Sequence, residues 1–118
     1  MAFNDFLATR IRDFLAKKKN IVEKKMFGSV GFLLNGNMLV GVWKDSLIAR
    51  VGPETYNAAL REEYVVEFDI TGRAMKGWVM IQPDGIDTDA QLRHWIQTSL
   101  KFVETLPPKE STQSPSKK

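Results

Sequence analysis

The dipeptide Asn35-Gly36 constrains this chain more than any other stretch. It joins two apolar runs, one ending Gly31-Phe32-Leu33-Leu34 and one reading Met38-Leu39-Val40-Gly41-Val42-Trp43. Asparagine and glycine both accept positive φ, which a two-residue hairpin turn requires of both its central positions. The pair therefore predicts a β-hairpin, with strands over 24–34 and 37–43. Lys44-Asp45-Ser46 reads as a second turn and Leu47–Val51 as a third strand, giving an antiparallel meander. Glycines 28, 31 and 41 inside these strands predict a bulge or a close backbone approach.

A second strand pair is read in Phe68–Ile81. Phe68-Asp69-Ile70 alternates apolar and polar residues, as a half-buried strand does, and Tyr64-Val65-Val66 is an extended lead into it. Trp78-Val79-Met80-Ile81 is a continuous apolar run, as a central strand is. Three helices frame the strands. Phe3, Phe6, Leu7, Ile11, Phe14 and Leu15 recur at helical spacing and predict a helix over 4–19, capped by Asn4 and closed by Lys17-Lys18-Lys19 and Asn20. Gly52-Pro53-Glu54 opens a short helix, with proline at its first position. Asp87 or Thr88 caps a last helix, Thr88 with capping-box spacing to Gln91, and its apolar face is Leu92, Trp95, Ile96, Leu100 and Val103. The order α-β-β-β-α-β-β-α predicts an α+β two-layer sandwich, its five-stranded, mostly antiparallel sheet covered by helices on one face. The domain is expected over 1–106. The polar, Pro/Ser/Lys-rich stretch 107–118 is expected to be a disordered tail.

Composition excludes several classes of chemistry. The 118 residues include no cysteine and one histidine, so thiol catalysis, disulfides and His-rich metal sites are closed to a single chain. No apolar run reaches the roughly 18–20 residues that span a bilayer, and no signal peptide is read at the N-terminus. A cytoplasmic protein is expected. The net charge of +3 is uneven. Residues 10–25 hold seven basic residues against two acidic ones, whereas 26–106 hold seven against ten. The basic segment (Arg10, Arg12, Lys17, Lys18, Lys19, Lys24 and Lys25) is thus the one candidate for nucleic-acid contact.

A second candidate cluster is cationic and flanked by glycine. Arg73 and Lys76 lie between Gly72 and Gly77, with Asp69 just before and Arg50 in the third strand. Arginine and lysine beside free backbone N–H groups suit a phosphate, a nucleotide or a partner's carboxylate. The plainer reading pairs Arg73 with Asp69 and gives Arg50 an acid on the neighbouring strand. A lone carboxylate makes no general acid–base pair. His94 adjoins Trp95 with no nucleophile beside it, and Ser29, Ser46 and Ser99 lack a nucleophile-elbow context. Trp43, Trp78, Trp95, Phe27 and Phe32 are read as core, as are Met26, Met38, Met75 and Met80.

Several motifs in order resemble the TfoX N-terminal domain family. They are Met26-Phe27-Gly28-x-x-Gly31-Phe32, Asn35-Gly36-x-Met38, Asp45-x-Leu47-x-x-Arg50-Val51-Gly52, Phe68-x-x-x-Gly72-Arg73-x-Met75-Lys76-Gly77-Trp78-Val79 and the closing Phe102-Val103-x-Thr105-Leu106-Pro107-Pro108-Lys109. The resemblance covers about residues 5–109. Where the family pattern usually has glycine and proline, this chain has Ser29 and Ala74. The resemblance implies an α+β domain of bacterial regulators of natural competence, which act with a cyclic-AMP-responsive transcription factor. It is expected here as a stand-alone domain without those regulators' C-terminal helical domain. The resulting expectation is a non-enzymatic regulatory domain with no cofactor and no metal, no membrane partner, and contacts to transcription machinery or to itself as a homodimer. The alternatives are a nucleic-acid accessory module on the basic segment and tail, or an enzyme acting on an anionic small molecule near Arg50, Asp69, Arg73 and Lys76.

Overall fold

The computed structural model describes residues 4–26, 29–68 and 75–108. Its elements are α1 (Asp5–Phe14), β1 (Ile21–Met26), β2 (Ser29–Leu34), β3 (Asn37–Trp43), β4 (Ser46–Arg50), α2 (Pro53–Leu60), β5 (Val65–Glu67), β6 (Trp78–Ile81) and α3 (Asp89–Val103), with a single 3-10 turn at Pro83–Gly85. The six strands form one sheet in the order β1-β2-β3-β4-β6-β5, and every neighbouring pair is antiparallel. The α+β fold with its helix layer on one face is as the sequence predicts.

The strand count is not. Residues 24–34, read as one strand, are two: β1 pairs back on β2 from Ile21↔Leu34 to Met26↔Ser29. Strand-forming side chains on both sides of residues 27 and 28, which lie outside the described ones, hid that division. The edge strand of the second pair is Val65–Glu67, three residues earlier than expected. Asp69 and Ile70 lie outside the described residues, as do 71–74 and everything from 109 on. The chain re-enters where the Met75 N–H meets the Phe68 carbonyl at 3.2 Å.

The first helix is also shorter than predicted. Asn4 caps it as expected, its side chain accepting from the N–H groups of Phe6 and Leu7. The helix ends at Phe14, and Asn20 takes a φ of 65° where the chain turns into β1. Lys17–Lys19 therefore lie in turns rather than in a last helical turn. In α3 the expected capping box is complete in both directions between Thr88 and Gln91.

A bulge falls between β2 and β3, but not at a glycine, since Gly31 and Gly41 pair in regular register. Phe32 pairs with Val40 and Leu33 with Met38, so Leu39 is an extra residue on β3. The slip turns both Leu39 and Val40 toward the helices, and both are fully buried. On that side the sheet offers Val30, Phe32, Val42, Leu47, Ala49, Val79 and Ile81. The helices cover it with Leu7 and Ile11 of α1, Tyr56 and Ala59 of α2, and Leu92, Trp95, Ile96 and Val103 of α3. One continuous core results, and all three helices contribute to it from the same face.

Candidate functional site

Strand alternation fixes what the other face carries. The residues that alternate with the core positions are Gly31 and Leu33 on β2, Met38, Gly41 and Trp43 on β3, Ile48 and Arg50 on β4, Trp78 and Met80 on β6, and Val66 on β5. The register aligns four of them across the sheet in one row: Gly31↔Gly41↔Ile48↔Met80, continued by Val66 on β5 and Lys24 on β1. No described helix packs on this row. Ile48 is buried yet stands outside the helix-side core. Val66 and, one row over on β1, Val22 are exposed, Val22 at 58%. Gly41 and Gly31 face each other at the row's low point. A Cβ on Gly41 would come within 2.9 Å of the Val30 carbonyl oxygen and 3.2 Å of the Met38 terminal methyl. Larger residues there would break the pairing of β2 and β3.

The aromatic and methionine side chains divide between the two faces. Phe32 and Trp95 are core, as predicted. Trp43, Trp78, Met38 and Met80 are half-buried on the helix-free face, and Met75 is exposed beside it. They are not core fillers. Phe27 and the Met26 side chain fall outside the described residues.

Arg50 stands at one corner of this face. It is half-buried between two rings, its guanidinium carbon 5.2 Å from the Trp78 centroid and 5.8 Å from that of Phe102 on α3. One guanidinium nitrogen donates to the Met38 carbonyl at 3.4 Å. Burial pushes the Arg50 pKa below its ordinary value. Among the described residues no carboxylate reaches it, so the strand-face salt bridge expected for Arg50 is replaced by π faces and a carbonyl. The Trp78 ring also meets Phe68 at 6.1 Å, closing the corner.

Lys76 is exposed in the turn leading to β6, next to Gly77. The Gly77 carbonyl accepts from the Val51 and Gly52 N–H groups at 2.9 and 3.0 Å, which ties this turn to the end of β4. The structure thus places Arg50 and Lys76 at the same end of the β4–β6 pair. Asp69 and Arg73, the other two members of the cluster, lie outside the described residues. An open groove of about 590 Å³ runs nearby between the start of α2 and the end of α3. It is lined by Gly52, Pro53, Glu54, Thr98, Lys101 and Phe102.

The basic segment does not act as one patch. Arg10 donates to the Ile86 and Asp87 carbonyls and approaches Asp89 at 3.5 Å. Arg12 grips Glu23 with two hydrogen bonds of 2.8 and 2.7 Å, which holds the Glu23 carboxyl below its usual value. Lys18 pairs with Glu104. Lys17, Lys19, Lys24 and Lys25 remain exposed. His94 lies edge-on to Trp95 at 4.8 Å and 4.0 Å from Glu62. Among the described residues no cluster of three metal-ligating side chains forms, and no helix is long and apolar enough to cross a membrane.

The register, the bulge and the Gly77–Gly52 clasp set the motifs of the sequence in one fold. The model of the TfoX N-terminal domain matches residues 13–103. The chain belongs to the TfoX N-terminal domain family. The matched span runs from the last turns of α1 to the end of α3, so it takes in the whole sheet, its helix-free face and the Arg50 corner. No curated protein matches the chain.

The sequence reading predicts helices on one face only but does not assemble the residues of the other into a surface. Its signal was present: β2, β3 and β4 are apolar at consecutive positions, which strands buried on both faces are. A roof of three helices on one side leaves such a sheet with a second apolar face.

Proposed function

We propose that this TfoX N-terminal domain is a non-enzymatic regulatory module that works by protein–protein contact in transcriptional regulation. The observation that carries the reading is the helix-free sheet face: a row of apolar residues across the strands, bordered by Trp43, Trp78 and Arg50, with exposed valines at its margins. A contiguous apolar surface rimmed by polar groups marks an interaction site more often than a reaction site. Aromatic residues, methionine and arginine are the types enriched at such interfaces. Family membership supports a role in competence control, with the cyclic-AMP-responsive transcription factor as first candidate partner. A cytoplasmic location accords with that role.

The nucleic-acid reading loses ground because Arg10, Arg12 and Lys18 are engaged within the domain. It retains four exposed lysines. Co-purification of the transcription factor with the wild-type chain and with Met80→Asp separates the readings. Met80 lies half-buried on the face, one strand in from its β5 edge, so a carboxylate there is expected to abolish capture while circular dichroism stays unchanged. Equal capture by both chains overturns the docking reading. Salt-sensitive retention of DNA, lost on reversing Lys17 and Lys19, would favour the nucleic-acid module instead.

A further inference from the structure

The two sides of this domain differ in charge. Every described acidic residue lies in the helix layer or is turned toward it. Those on the sheet follow the rule: Glu23 is held by Arg12 of α1, Glu67 meets the Tyr56 hydroxyl of α2 at 3.4 Å, and Asp45 accepts from Asn4 at 3.3 Å. Glu62 and Glu63 border a groove against α3. Among the described residues the helix-free face carries charge of one sign, Lys24 at one end of its central row and Arg50 at the corner, with Lys44 and Lys76 beside its margins.

We infer that the partner segment seated on this face is an acidic, apolar peptide of another protein, with carboxylates flanking large aliphatic or aromatic side chains. The inference rests on the docking reading above and adds the chemistry of the occupant. Apolar side chains of the peptide cover the Gly41–Ile48–Met80–Val66 row. Its carboxylates meet Lys24 and Arg50. Arg50 suits this role because π faces and a carbonyl hold its guanidinium in place, so little side-chain freedom is lost on pairing. Its partial burial also strengthens any ion pair it makes.

Two other occupants fit less well. A second copy docking face to face brings like charges together, with no described carboxylate to answer them. A single-stranded nucleic acid needs bare aromatic faces for its bases. Here the Lys44 ammonium sits 4.7 Å from the Trp43 centroid and Arg50 covers Trp78, so cations already occupy those faces.

The test is a selection of random peptides displayed on phage against the full chain, followed by polarisation titrations of the selected peptides. The expected result is enrichment of acidic residues beside leucine, phenylalanine or methionine. Affinity should fall about tenfold, roughly 1.4 kcal/mol, with Val66→Asp and again with Lys24→Glu. Both positions are exposed, so folding is preserved. Selected peptides that are neutral or basic yet lose binding with Val66→Asp overturn the acidic assignment and leave the docking reading standing. Peptides insensitive to both substitutions overturn both. Polarisation of a labelled single-stranded oligonucleotide that binds in low salt and is lost with Val66→Asp would assign the face to nucleic acid and overturn the inference. A dimer in sedimentation velocity that Val66→Asp dissociates would assign it to a second copy, with the same consequence.

Discussion

Gly52 offers the sharpest test of how the Arg50 corner is built. Its φ of 91° and ψ of 158° lie in a region that is essentially glycine-only, at a cost of about 1–3 kcal/mol for other residues. A Cβ there would also lie 2.5 Å from Phe102 Cδ1 and 2.8 Å from Cγ, well inside contact distance. The ring is packed against the core and must shift, which adds about 1–3 kcal/mol. Gly52→Ala should therefore cost about 2–6 kcal/mol, a large share of the roughly 5–15 kcal/mol that holds a domain folded. Gly77→Ala is the internal control. Its φ is 94°, but its Cβ would meet nothing closer than 3.5 Å, so backbone strain acts alone at about 1–2 kcal/mol. Urea titrations of both variants read the difference directly, provided the slopes stay equal. Phe102→Ala in the Gly52→Ala background removes the clash, and the two substitutions should couple by about 1–3 kcal/mol. Equal losses for Gly52→Ala and Gly77→Ala, or strict additivity with Phe102→Ala, would refute the claim that the Phe102 ring fills the space a Cβ on Gly52 would need.

Two further substitutions probe single interactions. Arg12 holds the Glu23 carboxyl below the ordinary carboxylate value of 4.5, chiefly through their hydrogen bonds. Between the folded and unfolded pKa values the unfolded chain binds the extra proton, so the contribution is full above 4.5 and is lost as pH falls through the folded value. Arg12 is half exposed, so solvent screening keeps that contribution to about 0.2–1 kcal/mol. Melting curves of wild type and Glu23→Gln should differ at neutral pH and converge in acid; a constant gap would contradict the assignment. Thr88→Ala removes the capping-box hydroxyl of α3 and should cost about 1 kcal/mol by thermal melting, whereas no change would mean that Gln91 alone satisfies the helix start.

Local signals carried much of this fold. The Asn35-Gly36 turn, the Asn4 and Thr88 caps and the Pro53 helix start all stand where the residues put them, because each depends on chemistry within a few positions. The division of residues 24–34 into β1 and β2 was hidden because Gly28-Ser29, between Met26-Phe27 and Val30, carries no turn signal as strong as Asn35-Gly36. Of the candidate cluster, the sequence placed Arg50 in a strand and Lys76 before the next one; that both stand at the same end of the β4–β6 pair, and what surrounds Arg50, came only from the structure. A sequence shows that an arginine sits in a strand; it does not show that the nearest groups across that strand are a tryptophan ring and a carbonyl.

The sequence by itself determined the periodicities: strands apolar at consecutive positions in the meander, helices with one apolar stripe each, and acids concentrated outside the strands. Those patterns dictate a sheet that is apolar on both faces and helices able to cover one of them. Helices on one face are expected from the sequence; only the tertiary structure decided the register that sets which residues stand on that face. The bulge at Leu39 turns an extra residue toward that side, and the short links of the antiparallel order leave no helix to cross to the other. The second apolar face and the one-sided charge of the described residues follow from that packing, because burial and charge segregation are properties of packed layers and not of any single segment.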